Sequence, residues 1–162
     1  MATHLADSLS PVEIIIPFLD HAPVDLDGMA AALGVAVIRD PSLPAGISGK
    51  IERSGRGFRI VVNGTHGPLR QRFTLAHEIA HYVLHRDLIG DGVTDDAMYR
   101  SGRLSDDYER QANRYAADLL MPARLIRAAW REGVRSFADM AARFDVSAEA
   151  ARIRMRDLRL GG

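Results

Sequence analysis

The chain has 162 residues, 47% hydrophobic and 26% charged, enough for one domain with a sizeable core. Its 21 basic and 21 acidic side chains cancel, so no global charge directs it to nucleic acid or to a membrane surface. The absence of cysteine excludes disulfides and thiolate metal sites, and Ile14-Ile15-Ile16, the longest aliphatic run, is far too short to span a bilayer.

The N-terminus lacks a basic segment followed by an apolar stretch, so no signal peptide is expected, and a cytoplasmic location fits the lack of cysteine. Charge is unevenly spread. Asp87 to Glu109 holds seven acids against two arginines, whereas Pro122 to Gly162 holds nine arginines against five acids.

Residues 1–10 carry no periodicity and read as a disordered N-terminus. Ser10-Pro11 supplies an N-cap and a first helical residue for a short helix through Phe18 and Leu19. Asp25 caps a second helix that places Leu26, Met29, Ala30 and Leu33 inward and stops at Gly34. Val35 to Ile38 reads as a buried strand, and Pro41 and Pro44 mark a loop. Ile47 to Asn63 forms a hairpin with arms Ile47–Glu52 and Phe58–Asn63 around Arg53–Gly57. An edge of that sheet offers a place for an extended peptide to bind, or simply covers the next helix.

Gly67-Pro68 opens that helix, which runs to about Arg86 and contains His77-Glu78-x-x-His81. Residues four apart share a helix face, so both imidazoles reach one ion. Glu78, one residue past His77, stands where it takes a proton from a water without ligating the metal. Zinc suits such a pair, and a catalytic site asks for a third protein ligand and an open position. Apolar residues on several sides of this helix imply burial, where unpaired histidine and glutamate would be costly. Asp87 to Leu104 is long, Gly- and Asp-rich and without periodicity, a candidate lid.

Ser105 is the expected cap of the following helix, which runs to Met121-Pro122. Further helices span Pro122 to Glu132, start at Ser136-Phe137 and start at Ser147, with no internal repeat anywhere. The last two, with Arg152, Arg154, Arg156 and Arg159, resemble a helix-turn-helix. A helical hairpin with a solvated arginine face is the favoured alternative, so DNA binding is possible but not preferred.

Candidates for the third ligand are His85, His66, the acids between Asp87 and Asp107, and Glu109. His85 continues the spacing of four, but each such step drifts about 40° around the helix, so three ligands on one helix splay apart. Glu109 approaches from a separate helix, with Asn113 one turn later able to orient a ligand histidine. Glu109 alone also fits a solvated carboxylate at a helix start. Tyr115, Tyr108, His66 and Arg114 are possible stabilisers of a tetrahedral oxyanion, with Tyr115 carried forward as the candidate.

Arg70-Gln71-Arg72-Phe73-Thr74-Leu75-Ala76-His77-Glu78-Ile79-Ala80-His81, with Glu109-x-x-Ala112-Asn113-x-x-Ala116-x-x-Leu119-Leu120-Met121-Pro122, resembles the ImmA/IrrE family of zinc metallopeptidases over about residues 25 to 125. The resemblance implies a gluzincin-like site with His77, His81 and Glu109 as metal ligands and Glu78 as catalytic base. Thermolysin-type gluzincins usually have Asp one turn after the ligand glutamate; here Asn113 stands there, with His85 as a further residue behind the ligands. One zinc ion is implied, although Mn²⁺ or Fe²⁺ also suits a His₂Glu set.

The expected architecture is therefore α+β: a mostly helical zincin-like domain with a small antiparallel sheet of about three strands beside the motif helix. The metallopeptidase domain is placed at residues 11–125, with a helical extension at 126–162 packed on the same core. The resemblance implies a protein substrate, a separate helix-turn-helix repressor, since no room precedes the motif segment for such a domain in this chain. No membrane partner is expected. A non-proteolytic interaction protein, such as a toxin–antitoxin component, is the competing reading.

Overall fold

The structure, a computed structural model, describes residues 9–89 and 102–161, with the backbone alone for 102–105. Helix α1 (Pro11–Ile15) continues into a 3₁₀ turn (Ile16–Asp20), followed by α2 (Leu26–Ala32). Strands β1 (Val35–Asp40), β2 (Gly49–Ser54) and β3 (Gly57–Asn63) precede α3 (Pro68–His85). After a 3₁₀ turn (Arg86–Leu88) come α4 (Gly102–Leu120), α5 (Ala123–Arg131), α6 (Phe137–Phe144) and α7 (Ala148–Asp157). The class is α+β.

Local chemistry accounts for most boundaries. Ser10, Asp25, Ser136 and Ser147 each accept a hydrogen bond from the backbone N–H three residues on, satisfying a donor that the first helical turn leaves open. Gly34 ends α2 with φ +76°, a conformation that costs glycine little. The hairpin is tighter than the sequence suggests. Only Gly55-Arg56 separates the strands, and Gly55 at φ +61° supplies the positive φ that a II′ turn needs at its first central position. Ser105 does not cap α4, because the helix already begins at Gly102; Arg103 and Leu104 are good helix formers and extend it.

The sheet order is β1-β3-β2, with β2 antiparallel to β3 but β1 parallel to it. It is therefore mixed rather than wholly antiparallel. The 41–48 connection carries the chain across the end of β3, so the last strand inserts between the first two. This central position explains why Ile60, Val61, Val62 and Asn63 are all buried in succession. Asn63 staples the 41–48 connection. Its amide nitrogen donates to the carbonyls of Pro44 (3.2 Å) and Ile47 (2.9 Å), while its oxygen accepts from the Thr65 backbone N–H (3.0 Å) and hydroxyl (2.7 Å).

Helix α3 lies between the sheet and α4. It approaches α4 closely, which the buried Ala76, Ala80, Ala112 and Ala116 permit. It approaches β2 as closely at Gly49, where a Cβ would stand 2.6 Å from Thr74 Cγ2 and 2.7 Å from the Val61 carbonyl oxygen. Met140, Phe144 and Met155 of α6 and α7 belong to the same apolar cluster as Ile79 and Leu119. Each such fully buried side chain is worth about 2 kcal/mol of transfer free energy.

Candidate metal centre

The spacing in His77-Glu78-x-x-His81 produces the expected pair on α3. The Nε2 atoms of His77 and His81 lie 3.1 Å apart, with the two rings nearly perpendicular at 88°. Glu109 reaches them from α4: Oε2 is 2.9 Å from His77 Nε2 and Oε1 is 2.8 Å from His81 Nε2. All three ligand atoms fall within 4.8 Å of one another, the one such group among the described residues. Two nitrogens held at about 2.05 Å on a tetrahedral ion would stand roughly 3.3 Å apart, so the observed spacing fits a shared zinc.

The electrostatics agree with that donor set. Burial alone would raise the pKa of the Glu109 carboxyl, but hydrogen bonds from His77 and His81 outweigh it and hold the value at about 2. Burial disfavours charge on His77 too, yet Glu109, with Glu78 nearby, raises its pKa. In His81 the burial wins, helped by the neighbouring His77 and His85, and its pKa falls. These shifts favour the ionised form of Glu109 and the charged form of His77, and disfavour charge on His81. Neutral His81 is the form that ligates a metal.

Glu78 is 3% exposed and lines, with His77, Glu109 and Asn113, an open cleft of about 390 Å³. Its opposite wall is Ser48 and Gly49, at the entry to edge strand β2. Arg70 borders the cleft and donates to Ser48 Oγ (3.2 Å), and the Phe73 ring stacks on His77 with centroids 6.3 Å apart. These wall residues were not singled out as site residues from sequence. A signal existed for two of them: Arg70 and Phe73 precede His77 by seven and four positions, on the same helical face.

The structure distributes the other candidates as follows. Asn113 shares the cleft and helps raise the pKa of His77, although His77 Nδ1 itself is buried without a hydrogen bond of normal geometry. His85 is buried behind His81, their Nδ1 atoms 3.0 Å apart, and does not join the ligand set. His66 is held by the Ala45 carbonyl (3.0 Å) away from the cluster. Asp87, Asp106 and Asp107 are exposed and outside it. Of the expected lid, residues 90–101 lie outside the described residues, as does most of the expected disordered N-terminus.

Tyr115 is not brought to the cleft. Six residues past Glu109 is roughly 120° round the helix, and Tyr115 instead lines a groove with Leu84, Gln111 and Asp118. An oxyanion role for it has no geometric basis. Nor do the four C-terminal arginines form one solvated face. Arg154 is only 12% exposed, donates to the Met121 carbonyl (2.9 Å) and pairs with Asp118 (2.9 Å), clamping α7 to the end of α4. Arg152 is paired with Glu149 within its own helix. No described helix is long and apolar enough to cross a membrane.

Comparison with known proteins adds to this geometry. Residues 30–156 match the model of the Peptidase_M78 family, the IrrE N-terminal-like domain. The radiation response metalloprotease IrrE of Deinococcus deserti is 43% identical over 97 residues, 57% of this chain and 34% of that protein. Its namesake in Deinococcus radiodurans is 41% identical over 98 residues, 57% of this chain and 29% of that protein. The chain thus spans about a third of the length of these curated relatives. A solved structure described as a Mycobacterium tuberculosis transcriptional regulator shares the fold, with a TM-score of 0.55 at 18% identity over 80% of this chain and 39% of that one.

Proposed function

The chain belongs to the ImmA/IrrE (Peptidase_M78, IrrE N-terminal-like) family, and on that premise we propose that it is a zinc-dependent endopeptidase working in the cytoplasm. The observation that carries the reading is the convergence of His77 Nε2, His81 Nε2 and the Glu109 carboxylate beside buried Glu78 in an open cleft. His77, His81 and Glu109 would hold one zinc ion, which would supply Lewis acidity at the cleft.

The chain's own residues do the rest. Glu78 takes the proton of the water as it attacks the peptide carbonyl and delivers it to the departing amine, a transfer typically worth 10²- to 10⁴-fold. Asn113, one turn after Glu109, lies beside His77 in the cleft and is the residue placed to receive the proton of its buried Nδ1. The outer side of β2, an edge strand among the described residues, receives an extended segment of substrate beside Ser48 and Gly49 by main-chain hydrogen bonding. Membership of the family supports a substrate class: a helix-turn-helix transcriptional repressor whose cleavage releases stress-response genes.

The test is purified protein with a measured zinc content, incubated with the helix-turn-helix repressor encoded nearest to its gene, with fragments read by mass spectrometry. Wild-type protein is expected to cut at one or few sites, and Glu78→Gln to keep its zinc and lose at least 10²-fold in rate. Undiminished cleavage by zinc-replete Glu78→Gln would remove the base assignment. A protein that takes up no divalent metal would remove the peptidase reading.

A further inference from the structure

Behind the metal-binding pair runs a chain of hydrogen-bonding atoms that leads out of the interior. His81 Nδ1 lies 3.0 Å from His85 Nδ1, and His85 Nε2 lies 2.8 Å from Gln111 Oε1 on α4. His81 and His85 are 0% and 5% exposed, and the Tyr108 ring lies against His85 with centroids 4.6 Å apart. Gln111 ends the chain at the groove on the other flank of the α3–α4 pair.

Each neutral imidazole carries one N–H, so the three groups cannot choose their protons independently. His81 Nε2 must present a lone pair to an ion shared with His77 and Glu109. Its proton then sits on Nδ1 and is donated to His85 Nδ1. His85 in turn carries its proton on Nε2, and the Gln111 carbonyl oxygen accepts it. With the Gln111 amide turned over, its NH₂ would donate inward, and the last proton of the series would sit on His81 Nε2, blocking the metal. We propose that Gln111 is a positioning residue for the metal centre: acting through His85, its amide oxygen holds His81 in the tautomer that ligates.

This inference rests on the metal-binding reading above, and its experiment separates the two. Zinc affinity is measured by competition with a chromogenic chelator for wild type, Gln111→Leu and Gln111→Glu, together with the His85 tautomer in the zinc-free proteins, where no ion fixes His81, by long-range ¹H–¹⁵N correlation. Gln111 is exposed, so both variants are expected to fold. Gln111→Leu should bind zinc roughly 10- to 100-fold more weakly, the usual effect of losing a partner behind a ligand, and its His85 should no longer be held as the Nε2–H form. Gln111→Glu, which can only accept, should retain wild-type affinity and tautomer. Wild-type affinity in Gln111→Leu, or an equal loss in Gln111→Glu, would overturn the role of Gln111 while leaving the metal centre standing. Wild-type protein without zinc affinity would overturn both.

Discussion

Helix α4 has two ends that bury opposite kinds of chemistry. Its N-terminal half meets α3 through Glu109 and Gln111, so that seam contains a carboxylate, three imidazoles and an amide in contact. Its C-terminal end contributes Leu119 and Leu120, with Met121 just beyond it, to the apolar cluster that also holds Met140, Phe144 and Met155 of α6 and α7. The apolar seam tolerates changes of shape at modest cost, because dispersion and burial have no direction. The polar seam depends on which atom carries each proton. A fold that accepts the second kind of seam gives up stability unless something, here a cation, uses it.

Metal removal tests that contrast most strongly. Zinc at a thousand times its dissociation constant adds about 4 kcal/mol to unfolding, so chelation should lower the melting temperature of wild type and leave Glu109→Ala unmoved. Binding must compete with protons. With the pKa of His77 raised above the ordinary 6.5, the zinc-dependent increment should begin to shrink near neutral pH and keep shrinking as pH falls, readable by calorimetry with and without chelator.

The next largest effect belongs to the wall of the cleft. Asn63→Ala strips five side-chain hydrogen bonds at a fully buried position and should cost about 3 kcal/mol in urea unfolding. It should also loosen Ser48 and Gly49, so that peptidase activity falls further than stability does at low denaturant. Equal folding free energies for variant and wild type would show that the 41–48 connection is held by other means.

The apolar seam has one polar clamp. Arg154→Ala leaves the buried Met121 carbonyl without its donor and should cost about 2 kcal/mol. Arg152→Ala, whose partner Glu149 lies on the same exposed face, should leave stability essentially unchanged, because solvent screens the pair. Similar losses in both would mean that Arg154 acts as surface charge after all.

A smaller effect carries a pH signature. Burial works against the Glu52 charge, but hydrogen bonds from Arg59 and Lys50 prevail and lower its pKa below 4.5. A depressed native pKa contributes stability above the unfolded value and loses it as pH falls through the native one. The difference between wild type and Glu52→Gln should therefore be about 1 kcal/mol at pH 7 and vanish in strongly acidic solution. A difference independent of pH would assign the effect to packing.

How much of this could be read from sequence depends on the distance over which each feature is decided. Helix caps, the hairpin, the buried motif helix and the α+β class follow from spacing within a few residues, where backbone geometry leaves little choice. His77, Glu78 and His81 belong to that group, since one helical turn sets their relation. Glu109 was reachable because the family pattern pairs it with the first segment. The sequence by itself thus determined the types of the candidate metal donors and the helix that carries two of them. Tertiary structure decided the rest: that β3 inserts between β1 and β2, that Tyr115 faces away, that Arg154 turns inward, and that Gln111 meets His85. These depend on the rotation and offset of one element against another, which arise from packing of side chains distant in sequence and leave no local period to read.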